Sequence, residues 1–447
     1  MKKLVLRLAL VLFGLVLFCF LIYRFYPVVD KVIGPEKTVY IKKSDGKFNI
    51  IRNGEVFYIK GAAGNKYLKE LSSIGGNTIR VYDTINLGAI LDSARIYNLA
   101  VIVDIYMPKY NQSNDFYSFE ENRMKLGLNI KHLVNRYKNH PSLLFWNLGN
   151  EINYPIVLMK NDFIDTFNNL IDSIHDIDPN HPVTTSIIRK KEVFSVLFHS
   201  PQLDLFGFNI FGHIKSLESD IRIANFLVKP FPYYLSEYAN NGPWEEELTK
   251  WYVPVEQTTT KKAEQFSERY ELYIKTDKQS LGSLAFYWGN KQECTHTWFS
   301  IFDEKGNKSN TFYALESAWN NKSYIQNNSH VGIKYMLIDN KGAKDNLVYK
   351  PNEIKYATLY LEGEVDSTYT YEWNIYKEKW HEHHSVELIN RPILCSDSLN
   401  NSYRAFSFKT PLYEGSYRLF VNVYDNKGNF SSSNIPFYVL NINEKFK

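Results

Sequence analysis

Short apolar runs alternate with longer amphipathic stretches from residue 57 to residue 288, and this alternation is the strongest pattern in the chain. The runs at 57–63, 77–82, 100–106, 143–148, 182–186, 203–209, 233–237 and 283–288 read as strands bounded by Gly, Pro, Asn or Asp. The stretches between them carry helical periodicity. At 162–174, Phe163, Phe167, Leu170, Ile171 and Ile174 fall on one helix face. Strand and helix in regular alternation predict an α/β fold with a parallel sheet. Eight such units within residues 48–322 match one closed (β/α)8 TIM barrel. An open doubly wound sheet is the alternative, but no Gly-rich phosphate turn follows the first strand.

Ahead of the first barrel strand, residues 48–61 read as a hairpin, with Asn53-Gly54 supplying the positive φ angles of a tight turn. At 323–329 the helical period ends in an Asn/Ser-rich linker. Beyond it only strands are expected, at 332–338, 354–361, 369–375, 403–408, 415–424 and 435–440. Short strands over residues 330–447 predict a C-terminal immunoglobulin-like β-sandwich. Asp339-Asn340-Lys341-Gly342 and Asp425-Asn426-Lys427-Gly428 are turn chemistry, not a sign of duplication.

The N-terminus changes the picture. Lys2 and Lys3 precede an apolar run unbroken from Leu8 to Tyr23, and no small-x-small cleavage site follows it. Residues 1–26 therefore read as an uncleaved membrane anchor, or as a signal peptide if cleaved, with the remainder exported. The net charge of +4 resides entirely in Lys2, Lys3, Arg7 and Arg24 of this segment, which holds no acid. A neutral remainder lacks the electrostatic footprint of a nucleic-acid binder. Aromatic residues make up 16% of the 447 residues, which suits core packing and also suits the apolar faces of a carbohydrate.

Two strands end in carboxyls. The fourth runs into Asn150-Glu151 and the seventh into Glu237. Strand C-termini line the open mouth of such a barrel, where chemistry is done. Two carboxyls there are the minimum equipment for cleaving a glycosidic bond. A strand-end Glu can also cap a helix or pair with a nearby Arg, so position alone does not decide.

The motif around the first carboxyl is specific. Arg136-Tyr137-Lys138-Asn139-His140-Pro141-Ser142 followed by Trp146-Asn147-Leu148-Gly149-Asn150-Glu151 resembles the acid/base signature of clan A glycoside hydrolases. The barrel looks most like that of glycoside hydrolase family 2, which Leu68-Lys69-Glu70-Leu71 and Gly76-Asn77-Thr78-Ile79-Arg80-Val81 also resemble. The resemblance covers roughly residues 48–320. It implies Glu151 as proton donor and then base, and Glu237 as nucleophile, in retaining hydrolysis of a β-linked glycan. It implies a substrate-binding set of Arg80, Asn150, Asn209 and Trp288. Asn150 would donate to the sugar 2-hydroxyl, and Trp288 would form an apolar floor. Glu151 would need surroundings that keep it protonated, and Glu237 would need donors such as Arg80 that keep it ionised.

Several features depart from the family. Its members carry β-domains before the barrel, where here only a hairpin fits. Val81-Tyr82-Asp83 follows Arg80 where a Ser-His pair is usual, and Phe211 stands where many clan members have a Tyr beside the nucleophile. Tyr238, Tyr287 or His213 could replace that hydroxyl. The Asn-His-Pro histidines His140 and His181 precede strands and belong to the bottom of the barrel as turn and capping residues. His381-Glu382-His383-His384 lacks the His-Glu-x-x-His helical spacing, and no metal or other cofactor is expected. Cys294 and Cys395 are expected to be unpaired and packed. The loops 107–116 and 289–310 are expected to wall the cleft. A transglycosylase, delivering the same intermediate to a sugar hydroxyl, and a silent glycan-binding barrel are the competing readings.

Overall fold

A computed structural model of the chain describes residues 12–15, 37–112, 115–227, 230–325, 330–363, 366–378, 380, 394–395 and 404–441. The expected membrane segment, residues 1–26, lies outside these apart from a helical turn at 12–15. Among the described residues no helix is long and apolar enough to cross a membrane. His381–His384 also lie outside the described residues.

The chain begins with an antiparallel sheet of β1 (Val39–Ser44), β2 (Lys47–Arg52) and β3 (Glu55–Phe57). Asn53-Gly54 forms the expected turn, with φ of 52° and 84°. The additional strand β1 pairs with β2 across Asp45-Gly46, a second turn of the same chemistry that the hairpin reading passed over.

Among the described residues eight parallel strands then close into a barrel. They are β4 (Ile59–Ala63), β5 (Thr78–Val81), β6 (Ala100–Ile105), β7 (Leu143–Asn150), β8 (Val183–Ile187), β9 (Leu205–Asn209), β10 (Tyr233–Tyr238) and β11 (Ser280–Ala285). A helix follows each strand: α1 (Leu68–Ser73), α2 (Leu87–Ile96), α3 (Glu120–Tyr137), α4 (Asp162–Ile177), α5 (Lys190–His199), α6 (Leu217–Leu227), α7 (Thr259–Arg269) and α8 (Asn310–Trp319). Helix α4 shows why the periodicity was informative. Asn161 caps it by accepting from the Ile164 N–H, and Phe163, Phe167, Leu170, Ile171 and Ile174 form its buried face.

The bottom of the barrel is apolar. Ile102, Phe145, Leu205, Tyr234 and Leu284 pack with Val39 and Ile50 of the N-terminal sheet, which closes that end. Burying each such side chain contributes about 1.5–3 kcal/mol. Arg52 ties the sheet to the Pro141 carbonyl and Val39 N–H to that of Asn180, placing both Asn-His-Pro turns at this end.

The C-terminal part is a sandwich, as expected. One sheet has the order β12 (Ile333–Ile338), β14 (Ile354–Leu361), β17 (Ala405–Lys409). The other runs β13 (Leu347–Tyr349), β19 (Phe430–Val439), β18 (Gly415–Tyr424), β15 (Thr370–Lys377), β16 (Leu394–Cys395). Met336, Leu359, Trp373, Leu419 and Phe437 fill the space between the sheets. The unanticipated β13 and β16 have three and two residues, too few to show alternation.

The sandwich is fastened to the barrel by buried polar groups. Glu256 accepts from Lys262, Thr295, Thr297 and Asn434, all buried. Arg418 of β18 donates to Glu378, Asn434 and the Pro254 carbonyl. The Asp425 turn carries Phe430 to a backbone bond with Lys308, and Tyr313 donates to Asn429.

Candidate active site

The upper end of the barrel is polar where the lower end is apolar. Arg80, on β5, has no exposed surface and is the hub. Its Nε and Nη2 reach the two oxygens of Asp104 at 2.9 and 2.7 Å, a bidentate pair. Its Nη1 donates to Glu237 Oε1 at 3.0 Å, Asn209 Oδ1 at 3.3 Å and the Ser236 carbonyl at 3.1 Å. Its Nη2 also reaches Asn150 Oδ1 at 2.8 Å.

The end of β7 is irregular in a way that serves the site. Its register with β8 shifts between Asn147 and Asn150, and Gly149 sits at φ +79°. A Cβ there would lie 2.3 Å from Ile152 Cγ2, so only glycine fits. Glu151 follows at φ 52°, a left-handed conformation that costs a side-chain-bearing residue roughly 1–2 kcal/mol. Glu151 Oε1 accepts from Asn209 Nδ2 at 2.8 Å, and Lys109 Nζ lies 3.5 Å from Oε2. The Glu151 side chain keeps 24% of its surface exposed.

Glu237 ends β10 almost wholly buried. Its Oε1 accepts from Arg80 and, at 2.8 Å, from the Tyr82 hydroxyl. Among the described residues its Oε2 has no hydrogen-bond partner. Burial pushes this carboxyl up to about 8; Arg80 and Tyr82 oppose the shift, and the nearby charges of Glu151 and Asp104 add to it. Arg80, the donor expected at Glu237, is in place, but burial and like charge outweigh it and Tyr82. Burial and the Glu237 charge in turn hold the Tyr82 hydroxyl protonated, so it serves as a donor.

The structure brings five of the six expected site residues together. Arg80, Asn150, Glu151, Asn209 and Glu237 form one connected network. Within it Arg80 and Asn209 are buried and hold the carboxyls from beneath, offering little surface to a ligand. Asn150 differs. Its Oδ1 accepts from Arg80 and Asn209, which orients the amide and leaves Nδ2 without a protein partner among the described residues.

Trp288 is not with them. It has no exposed surface, packs against Phe302, Phe312 and Trp319, and donates to the Tyr67 carbonyl. A ring with no open face cannot be a floor. Phe286, two residues earlier, meets the Tyr82 ring edge-on at 6.3 Å and is the aromatic neighbour of the site from the eighth strand.

Tyr82, Asp104, Asn147 and Ser236 were missed as site residues. Asp104 and Asn147 had a signal, being polar residues inside otherwise apolar strands. Asn147 links Asp104 to the Ser186 hydroxyl. Tyr82 supplies the hydroxyl missing at Phe211, and none of the three expected substitutes does. Tyr238 is buried against Phe266, His213 points to Glu245 at the surface, and Tyr287 meets Phe286 edge to face. Phe211 instead joins Trp244, Phe286 and Phe299.

Both expected loops border open space. A cavity of about 1040 Å³ is lined by Met107, Lys109 and Tyr110 together with Asn150 and Asn153. A second, of about 670 Å³, is lined by Lys291, His296 and Asp303. Glu293 of the same loop is raised by burial and by the charge of Glu151. Cys294 is a free thiol. Among the described residues no cluster of three or more His, Cys, Asp or Glu side chains is placed to hold a metal ion.

A closed (β/α)8 barrel with a carboxyl at the end of its fourth and of its seventh strand has the architecture of a glycoside hydrolase of the clan A type. Residues 92–278 match the family model described as glycosyl hydrolases family 2, TIM barrel domain. A Formosa agariphila protein provisionally named as a β-glucuronidase is 21% identical over 45% of this chain. The match spans 28% of that relative's length. Among solved structures, a GH2 β-galacturonidase from Eisenbergiella tayi bound to galacturonate gives a TM-score of 0.51 at 14% identity, covering 64% of this chain and 55% of that one. A β-glucuronidase from Bacteroides uniformis gives 0.50 at 12% identity, covering 90% and 48%. The chain thus spans about half the length of these structures, and the likeness to them is one of fold.

Proposed function

We propose that this chain is a retaining glycoside hydrolase acting on a β-linked glycan through a covalent glycosyl-enzyme. One observation carries the reading: Glu151 and Glu237 end facing strands and are joined through Arg80 and Asn209. The oxygens divide the labour. Glu237 Oε1 is held by Arg80 and Tyr82, while Oε2 is free to attack the anomeric carbon. As the glycosidic bond breaks, Glu151 gives its proton to the departing oxygen. Glu151 then takes a proton from water, whose oxygen attacks the same carbon and releases Glu237. Asn150 Nδ2 faces no protein acceptor and is placed to bind a sugar hydroxyl.

The pH dependence follows from the ionisation of the nucleophile, Glu237. Burial, with the charge of Glu151 adding to it, raises Glu237 to about 8, so the nucleophile gains its charge only as the pH climbs toward that value. kcat/KM should therefore rise with pH toward about 8, the limb set by ionisation of Glu237.

Replacing Glu151 or Glu237 by Gln and assaying aryl β-glycosides tests the assignment. Each change should lower kcat by about 10²–10⁴-fold or more. Azide should restore turnover to Glu151→Ala by attacking the glycosyl-enzyme in the vacated space. Wild-type rates in both Gln variants would sink the reading. The apolar run at 8–23 supports membrane attachment through the N-terminus, and cell fractionation with and without residues 2–26 tests that separately.

A further inference from the structure

The five-stranded sheet of the sandwich has two faces of different chemistry. Along β15, Tyr371, Trp373 and Ile375 point into the sandwich core, so Glu372, Asn374 and Tyr376 point the other way. On the neighbouring β18, Leu419, Val421 and Val423 are core, and Asn422 and Tyr424 share the opposite face, with Asn422 paired across from Glu372. That polar face does not look into bulk solvent. It forms one wall of the 670 Å³ cavity, whose other wall is the barrel mouth, with Gly64, Tyr82 and Tyr287 among its lining.

Tyr82 also lines the 1040 Å³ cavity on the other side. The two spaces therefore meet at the residue whose hydroxyl bonds Glu237. Their sides can be assigned. In retaining cleavage the leaving group departs toward the acid. The larger cavity is bordered by Asn150, Asn153 and Tyr154, which flank Glu151, so it takes the leaving-group side. The sandwich-walled cavity then lies on the side of the sugar being attacked. An enzyme that removes single terminal sugars needs a closed wall there. Here there is room, with tyrosine faces and amide and carboxylate groups, the mixture that binds sugar rings and their hydroxyls. Among the described residues Asn422 Oδ1 has no hydrogen-bond partner, and Glu372 is held at the rim by Tyr424 and Lys305.

We propose that the C-terminal sandwich forms a glycone-side subsite, so that the chain cleaves within an oligo- or polysaccharide and recognises at least one sugar unit beyond the one attacked. This rests on the hydrolase reading above. The probes are aryl β-glycosides in matched pairs, a monosaccharide and the same glycoside extended by one sugar at its non-reducing end, across glucosides, galactosides, mannosides, xylosides and glucuronides. For the sugar accepted, extension should raise kcat/KM at least tenfold in the full chain. That ratio should fall to about one in Asn422→Ala and in Glu372→Ala, a readout that a general loss of folded protein would not move. Hydrolysis without any gain from extension, or a gain that survives both variants, would overturn the subsite and leave the hydrolase reading standing. If no glycoside is turned over, the hydrolase reading fails by itself. Calorimetric binding of the corresponding free oligosaccharides then decides: binding lost in both variants upholds the cavity, and no binding, or binding indifferent to them, overturns it.

Discussion

Two buried charge networks, one at the barrel mouth and one where the sandwich meets the barrel, use similar parts to opposite effect. At the mouth a single cation, Arg80, faces the carboxyls of Asp104 and Glu237, with Glu151 nearby. At the junction two cations, Lys262 and Arg418, face two carboxyls, Glu256 and Glu378. Burial raises both Glu237 and Glu256. At Glu256 the cations, with hydroxyl donors, reverse the shift and hold the carboxyl below its ordinary range. At Glu237 the one buried cation, shared with Asp104, does not, and the carboxyl stays high. A balanced buried network holds a structure together; an unbalanced one keeps a proton available. The imbalance, more than the burial, marks the mouth as the place for chemistry.

The largest expected effects test that contrast directly. Glu256→Gln leaves two buried cations undercompensated and should cost about 3–5 kcal/mol of stability, measured by urea unfolding. Glu237→Gln should carry no such cost. The pH slopes should also be opposite. Glu237 is raised, so its contribution is present below its unfolded value and is lost as pH rises through about 8. Wild-type protein should therefore lose stability relative to Glu237→Gln between pH 5 and pH 9. Glu256 is lowered, so its contribution is present at neutral pH and is lost on acidification. Parallel slopes for the two variants would dissolve the comparison.

A middle-sized effect belongs to Tyr82. Tyr82→Phe removes a hydroxyl bonded to a carboxylate, an interaction of about 1.5–3 kcal/mol. Turnover of aryl glycosides should fall roughly 10–100-fold. Losing a donor disfavours the anion, so the titration of Glu237 should move further up. The same change at Tyr238, buried away from the carboxyls, should leave the pH profile where it is.

The smallest effect is expected at Lys109. Its side chain is 56% exposed and 3.5 Å from Glu151. Pairs of this kind are worth at most about 1 kcal/mol and are screened by salt. Lys109→Ala should change kcat/KM less than about fivefold, with the difference shrinking in high salt. A hundredfold loss would make Lys109 part of the reacting group rather than a rim cation.

Much of this was legible along the chain. Each of the eight runs became a barrel strand, and the strand-end glutamates stand at the mouth. Trp288 was misread because a strand-end aromatic looks the same in sequence whether it turns to the cleft or to the outer helices; Trp319 and Phe312 settle it outward. Tyr82 was passed over because the hydroxyl was sought beside Glu237 in sequence, whereas it arrives from β5 across the mouth.

The sequence by itself determined which segments are strands and helices, that they alternate eight times, and which strand ends carry carboxyls. These are local properties of period and turn chemistry, readable within a dozen residues. Only the tertiary structure decided which oxygen of Glu237 is held and which is open, that one guanidinium serves two carboxyls, and that a polar sheet face lines the barrel mouth. Those depend on groups up to 157 residues apart meeting in a dry interior. There, charge balance and distance set the chemistry, and neither is written in any one stretch of chain.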